Sequence, residues 1–99
     1  MHIISFKKLK EFWLQHPDAE EPLRRWYKAT TKAKWQNLAD TCRDFSNADL
    51  VGVCAIFNIK GNSYRLISKI YYNSQLVLVR FIGTHAEYDK GDWKNDCER

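Results

Sequence analysis

An α+β domain is the fold class this sequence predicts, and three observations predict it. Apolar residues recur at helical spacing up to about Phe45 and then alternate as in strands from Leu50 to Gly83. Gly61-Asn62 and Asn73-Ser74 divide the alternating stretch with tight-turn chemistry, which makes an antiparallel meander. With 99 residues in all, the chain supports a single core, so the N-terminal helices must pack on one face of that sheet.

His2 to Ile4 reads as a short first strand. Phe6, Leu9, Phe12 and Trp13 then follow i, i+3, i+6, i+7, the stripe of an amphipathic helix with Ser5 at its N-cap. His16-Pro17 closes it, because the residue before a proline avoids helical backbone angles. Asp18 starts a second helix whose inner stripe is Leu23, Trp26, Tyr27 and Thr30, and Leu38 to Phe45 forms a third. Val53 to Lys60, Tyr64 to Tyr71 and Leu76 to Ile82 are the strands of the meander.

Two-residue loops at both turns fix a register. Lys60 pairs with Ser63, which sets Asn58 opposite Arg65, and Tyr72 pairs with Gln75, which sets Ile67 opposite Arg80. One face then carries Phe57, Tyr64, Leu66, Ile70, Val77, Val79 and Phe81 and receives the helices. The other carries Asn58, Lys60, Arg65, Lys69 and Arg80 among Ile56, Ile67 and Ile82. Arg65 and Arg80 become diagonal neighbours ~7–8 Å apart at Cα. No Asp or Glu lies on these strands, so the two cations repel unless an anion joins them. A solvated charged face is the competing reading, and on pattern alone it stands slightly ahead.

Thr84 and Glu87 have capping-box spacing, so a short helix begins at His85 and sets His85 and Tyr88 on one face. An imidazole that titrates near neutrality beside a phenol suits general acid–base work. A histidine at a helix start is more often structural, and only its closeness to the basic face raises it above that background.

The 16 Lys and Arg exceed the 12 Asp and Glu by four, too small an excess to establish nucleic-acid binding. No apolar run reaches the ~20 residues of a membrane span, and charge arrives too early for a secretory leader. Cys42, Cys54 and Cys97 form no C-x-x-C, and an odd number cannot all pair, so reduced thiols in a cytoplasmic protein are expected. His2, His16 and His85 are dispersed and lack zinc-site spacing, and phosphate-loop, dinucleotide and nucleophile-elbow motifs are absent. Trp13, Trp26, Trp35 and Trp93 are possible base-stacking platforms, with Trp13 and Trp26 on inner helix stripes and hence core.

Two stretches carry a family resemblance. Phe57-Asn58-Ile59-Lys60-Gly61-Asn62-Ser63-Tyr64-Arg65-Leu66 and Val79-Arg80-Phe81-Ile82-Gly83-Thr84-His85-Ala86-Glu87-Tyr88-Asp89-Lys90 resemble the HigB family of bacterial toxins, mRNA interferases related to RelE. Met1 to Ser5, Leu9 to Trp13, His16 to Ala19 and Trp26-Tyr27 extend the likeness over roughly residues 1–90, one toxin domain. The resemblance implies a RelE-like fold and cleavage of mRNA on the translating ribosome, for which the reading taken here needs no metal or cofactor. It also implies neutralisation by a HigA-type helix-turn-helix antitoxin. It carries over Arg65, Arg80, His85 and Tyr88 as active-site positions, with Asn58 and Lys60 as contributors to RNA contact, and the basic face of the sheet adds Lys69 as a further RNA contact. Val53-Cys54-Ala55 departs from it, being apolar where relatives often have a basic stretch. Residues 91–99 match nothing in the family and read as a tail open to disorder.

The reading is RNA cleavage by attack of a ribose 2′-OH on the adjacent phosphate, with Arg65 and Arg80 on the developing charge, His85 as acid or base, and Tyr88 as its partner or a stacking platform for a base. A non-catalytic RNA-binding module using the same basic face is the alternative. A protein-interaction domain with an exposed charged sheet is a third.

Overall fold

The computed structural model describes residues 1–97. Helix α1 spans Phe6–Gln15 and buries Leu9 and Trp13, as the stripe requires. Ser5 precedes it in an extended conformation, but its hydroxyl makes no capping hydrogen bond. The helix stops before Pro17. Pro17–Ala19 forms a 3-10 turn, so helix α2 begins at Glu20 and runs to Lys32, two residues after the expected start at Asp18. Leu23, Trp26 and Thr30 are its buried stripe. Helix α3, Leu38–Asp44, is capped by the Asn37 side chain, which accepts from the Asp40 amide at 3.0 Å.

Five strands follow one another across a single sheet in the order β1-β5-β4-β3-β2. They are β1 (His2–Ile4), β2 (Asp49–Val51), β3 (Cys54–Ile59), β4 (Tyr64–Tyr71) and β5 (Leu76–Thr84). Strands β2 to β5 are antiparallel neighbours, but β1 runs parallel to β5, with His2 opposite Leu76. The sheet is therefore mixed and not a pure meander. A hydrophobic strand at the start of the chain covers the open edge of β5, which would otherwise expose unpaired backbone groups.

The first hairpin has the expected register, with Asn58 opposite Arg65. Lys60 and Gly61 both adopt positive φ in its turn. The second hairpin keeps the expected register only from Tyr71 opposite Leu76 to Ser68 opposite Val79. A β-bulge then intervenes and Ile67 faces Phe81, not Arg80. An extra residue on one strand exchanges the faces of everything beyond it. Phe81 thus leaves the helix-facing side to which alternation assigned it, and Ile82 takes its place there.

The main core lies between the helices and one face of the sheet. It contains Leu9, Trp13, Leu23, Trp26, Trp35, Phe57, Leu66, Val77 and Val79. Full burial stabilises each large aliphatic side chain by roughly 1.5–3 kcal/mol. Phe57 meets Trp26 and Phe45 edge-on at centroid distances of 5.4 and 5.2 Å. The far face carries a smaller cluster of Cys54, Ile56, Ile67, Trp93 and Cys97, with Phe81 and Tyr88 against it.

That smaller cluster brings two findings that differ from the sequence reading. The segment expected to trail from the domain packs on the sheet through Cys97: Trp93 and Cys97 are buried, and Lys94–Cys97 is a helical turn, α5. Residues 98 and 99 of that tail lie outside the described residues. Cys54 and Cys97 form a disulfide and Cys42 alone is free. Three cysteines allow one pair and one thiol, and the return of the chain to β3 brings these two together. Reduced thiols throughout were the wrong inference.

Candidate functional site

The far face of the sheet and the segment after β5 bring the candidate residues together. Thr84 ends β5 in an extended conformation and caps helix α4, His85–Asp89. Its hydroxyl accepts from the Glu87 amide at 3.2 Å, and the Glu87 carboxylate accepts from the Thr84 amide at 2.9 Å. That reciprocal bond holds the Glu87 carboxyl below the usual carboxylate range. The expected capping box is present, and it sets where His85 and Tyr88 project.

His85 Nδ1 lies 3.0 Å from the Asp89 carboxylate, and its ring centroid is 6.3 Å from that of Tyr88. With Asp89 accepting from Nδ1–H, Nε2 is left as the basic nitrogen of the neutral ring. The side chain is about half exposed, open to a ligand. Tyr88 has two neighbours against its ring: the Arg65 guanidinium lies over it at 5.5 Å, and Trp93 stacks against it at 4.9 Å. The ring quadrupole attracts the cation and fixes it near the helix. Arg65 also donates to the Asn62 and Tyr64 carbonyls, each at 3.2 Å. Among the described residues it has no carboxylate partner.

Arg80 stands apart from this group. The bulge adds a residue between its position and the one opposite Arg65, which is Gly83. At ~3.3 Å per residue along a strand and ~4.8 Å between strands, the two Cα atoms are about 11 Å apart, not diagonal neighbours. Phe81 fills the interval, its ring so close to Gly83 that a Cβ there would lie 2.6 Å from Cζ. Arg80 pairs instead with Asp96 from α5, through both Nε and Nη2. The same carboxylate accepts from Lys69 Nζ at 3.3 Å. Arg80, first, and then Lys69 hold the Asp96 carboxyl well below its ordinary value, while Asp96 raises Arg80 in return. A cleft of about 580 Å³ opens beside these groups, lined by Ile67, Lys69, Arg80, Phe81, Asp92, Trp93, Asn95 and Asp96.

The remaining two candidates lie at the margin. Asn58 is half-buried opposite Arg65. Lys60 does not join the basic face: from its turn it reaches Asp18 beyond α1, where Tyr64 donates to the same carboxylate. Lys60 and then Tyr64 lower the Asp18 carboxyl, and Asp18 raises the Tyr64 phenol. Another open groove lies along α2, lined by Glu20, Glu21, Arg24, Arg25 and Lys28. There Arg24 and Arg25 pair with Glu20 and Glu21 one turn earlier, so most of its charge is neutralised within the helix.

Sequence reasoning missed Asp89, whose carboxylate meets His85 Nδ1, and Asp96, which joins Lys69 to Arg80; it named Trp93 as a base-stacking platform but not as the cover over Tyr88. For Asp89 the i, i+4 spacing from His85 was a usable signal. For the other two it was the pairing of Cys97 with Cys54, which ties residues 93–97 to the sheet.

Residues 19–91 match the family model HigB_toxin, described as the RelE-like toxic component of a toxin-antitoxin system. The chain is also similar to the mRNA interferase toxin HigB of Escherichia coli strain K12, 27% identical over 92 residues. The alignment covers 90% of this chain and 88% of the relative. Proteins named mRNA interferase HigB from Escherichia coli O157:H7 and Shigella flexneri match at the same identity and coverage.

Proposed function

The chain belongs to the HigB toxin family, RelE-like toxic components of toxin-antitoxin systems, and from that premise we propose that it is an endoribonuclease that cuts mRNA on the ribosome. The proposed arrangement of the domain is RelE-like. The proposed setting is the cytoplasm, where translated messages are found, and the proposed partner is a HigA-type antitoxin with a helix-turn-helix domain.

One observation carries the chemistry. The far face presents an arginine with no acidic partner among the described residues beside a histidine whose Nε2 is free, and next to them two cations already clasp an anion, the Asp96 carboxylate. A phosphodiester offers the same kind of oxygen pair as that carboxylate. In the proposed reaction His85 Nε2 takes the proton of a ribose 2′-OH. The oxygen attacks the adjacent phosphorus, the bond to the 5′ oxygen breaks, and a 2′,3′-cyclic phosphate and a 5′-OH result. Arg65, held by the Tyr88 ring, stabilises charge on the non-bridging oxygens, and Tyr88 protonates the departing oxygen or stacks on a base. The separation caused by the bulge makes Arg80, with Lys69, the holder of a neighbouring phosphate, not a second cation on the scissile one. Asn58 borders that path at the sheet edge. The reaction draws on the side chains alone.

Arg65→Ala and His85→Ala should each lower cleavage of translated messages by ~10²-fold or more. Arg80→Ala should weaken binding more than turnover. The assay maps new 5′-OH ends on messages in a translating extract. Undiminished cleavage by both Arg65→Ala and His85→Ala refutes this assignment, and protection of RNA without new ends identifies a binder.

A further inference from the structure

The chain's own C-terminal segment lies over the Tyr88, Lys69 and Arg80 side of the site proposed above and leaves His85 exposed, and three separate contacts hold it there. The Asp96 carboxylate sits between Lys69 and Arg80, where an RNA phosphate would go. Trp93 stacks on Tyr88 and donates Nε1–H to the Tyr88 carbonyl at 2.9 Å, covering the ring face that a base would use. The segment is then fastened at its far end, where Cys97 is bonded to Cys54 and accepts from the Val53 amide at 2.8 Å.

We propose that residues 92–97 are an autoinhibitory strap, latched over the RNA site by the Cys54–Cys97 disulfide and released by a dithiol reductant. The assignment of the covered face to RNA rests on the function proposed above; the latch rests on the contacts themselves. A thiolate of the reductant attacks one sulfur of the Cys54–Cys97 bond and forms a mixed disulfide with it, and the other cysteine leaves as a thiolate that takes up a proton. The second reductant thiol then displaces the protein sulfur. Two electrons pass to the protein, which ends with two thiols, and the reductant ends as a cyclic disulfide. Both sulfurs are buried, so attack follows local opening of α5, a single helical turn.

The latch matters because Asp96 competes with RNA as a tethered ligand. Two partly exposed ion pairs alone hold such a segment only weakly. A covalent closure raises the effective concentration of the carboxylate at its seat, and its loss lowers that concentration steeply. A compartment that keeps thiols reduced would thus leave the site open, and oxidation would shut it.

The test uses the full chain and a fluorescein-labelled, 2′-O-methylated single-stranded RNA, which binds but cannot be cut by 2′-OH attack. Anisotropy is read for the oxidised protein and after dithiothreitol, with circular dichroism recorded on each form. Reduction of the wild type should tighten binding by about tenfold or more. Cys97→Ser should bind as the reduced wild type does and ignore dithiothreitol. Asp96→Ala should bind more tightly than the wild type while still oxidised, and Cys42→Ser should respond like the wild type. Equal affinity of the oxidised and reduced wild type overturns the strap, as does a full reductant response in Cys97→Ser. Should Cys97→Ser fail to fold, the reduced wild type and oxidised Asp96→Ala decide. Tighter binding on reduction without cleavage of any translated message supports the strap and removes the nuclease. Equal cleavage in both redox states keeps the nuclease and overturns the strap.

Discussion

Asp96 is the residue on which the far face turns, and its ionisation has a consequence that can be measured. Its carboxyl is lowered in the folded chain by Arg80 and Lys69. A group whose folded value is depressed contributes stability above its unfolded value and loses it as pH falls through the folded one. The contribution is therefore complete at neutral pH, begins to fall near the unfolded value of about pH 4, and is gone only below the lower folded value. In urea denaturation between about pH 5 and pH 2, Asp96→Asn should lose stability less steeply than the wild type. Asp18, lowered by Lys60 and Tyr64, keeps part of the slope in the variant. Residue placement was legible where a turn dictated it: Gly61-Asn62 sufficed to set Arg65 opposite Asn58. Arg80 was not legible, since a bulge depends on how the sheet twists over its neighbours and leaves no local residue signature.

The turn from β5 into α4 is the element that aims the site. Thr84→Ala removes the hydroxyl that accepts from Glu87 and should cost about 1 kcal/mol, read as a lower urea midpoint. Because α4 is only five residues long, the same change should also lower cleavage by loosening His85 relative to Arg65. One residue earlier, Gly83→Ala forces the Phe81 ring out of its place. Overpacking of this kind costs typically 1–3 kcal/mol, and here it also disturbs the contact of Phe81 with the far-face cluster. Thermal unfolding of the purified variant checks it. At this scale the sequence was informative where the period was clear, as in the stripes of α1 and α2, and where a cap was complete, as in the capping box of α4. It was uninformative about β2, three residues long and exposed on two of them, and about α5, which has too few residues to show a period.

Across the whole molecule, one principal core supports a sheet whose other face carries the candidate residues. Leu66 is fully buried on β4, and Leu66→Ala should cost about 2–5 kcal/mol in urea denaturation, enough to threaten a domain of this size. The α+β class was legible because the two hydrophobic periods occupy separate halves of the chain. The mixed sheet was not, because pairing between distant strands is decided by the edge that each leaves open. That pairing has a temporal side. His2 waits for Leu76, so the edge of the sheet stays unfinished until the last strand has been synthesised. Contacts between such remote segments form late and slowly. A ribosome producing this polypeptide thus completes most of its elongation before the chain it is releasing can close its sheet.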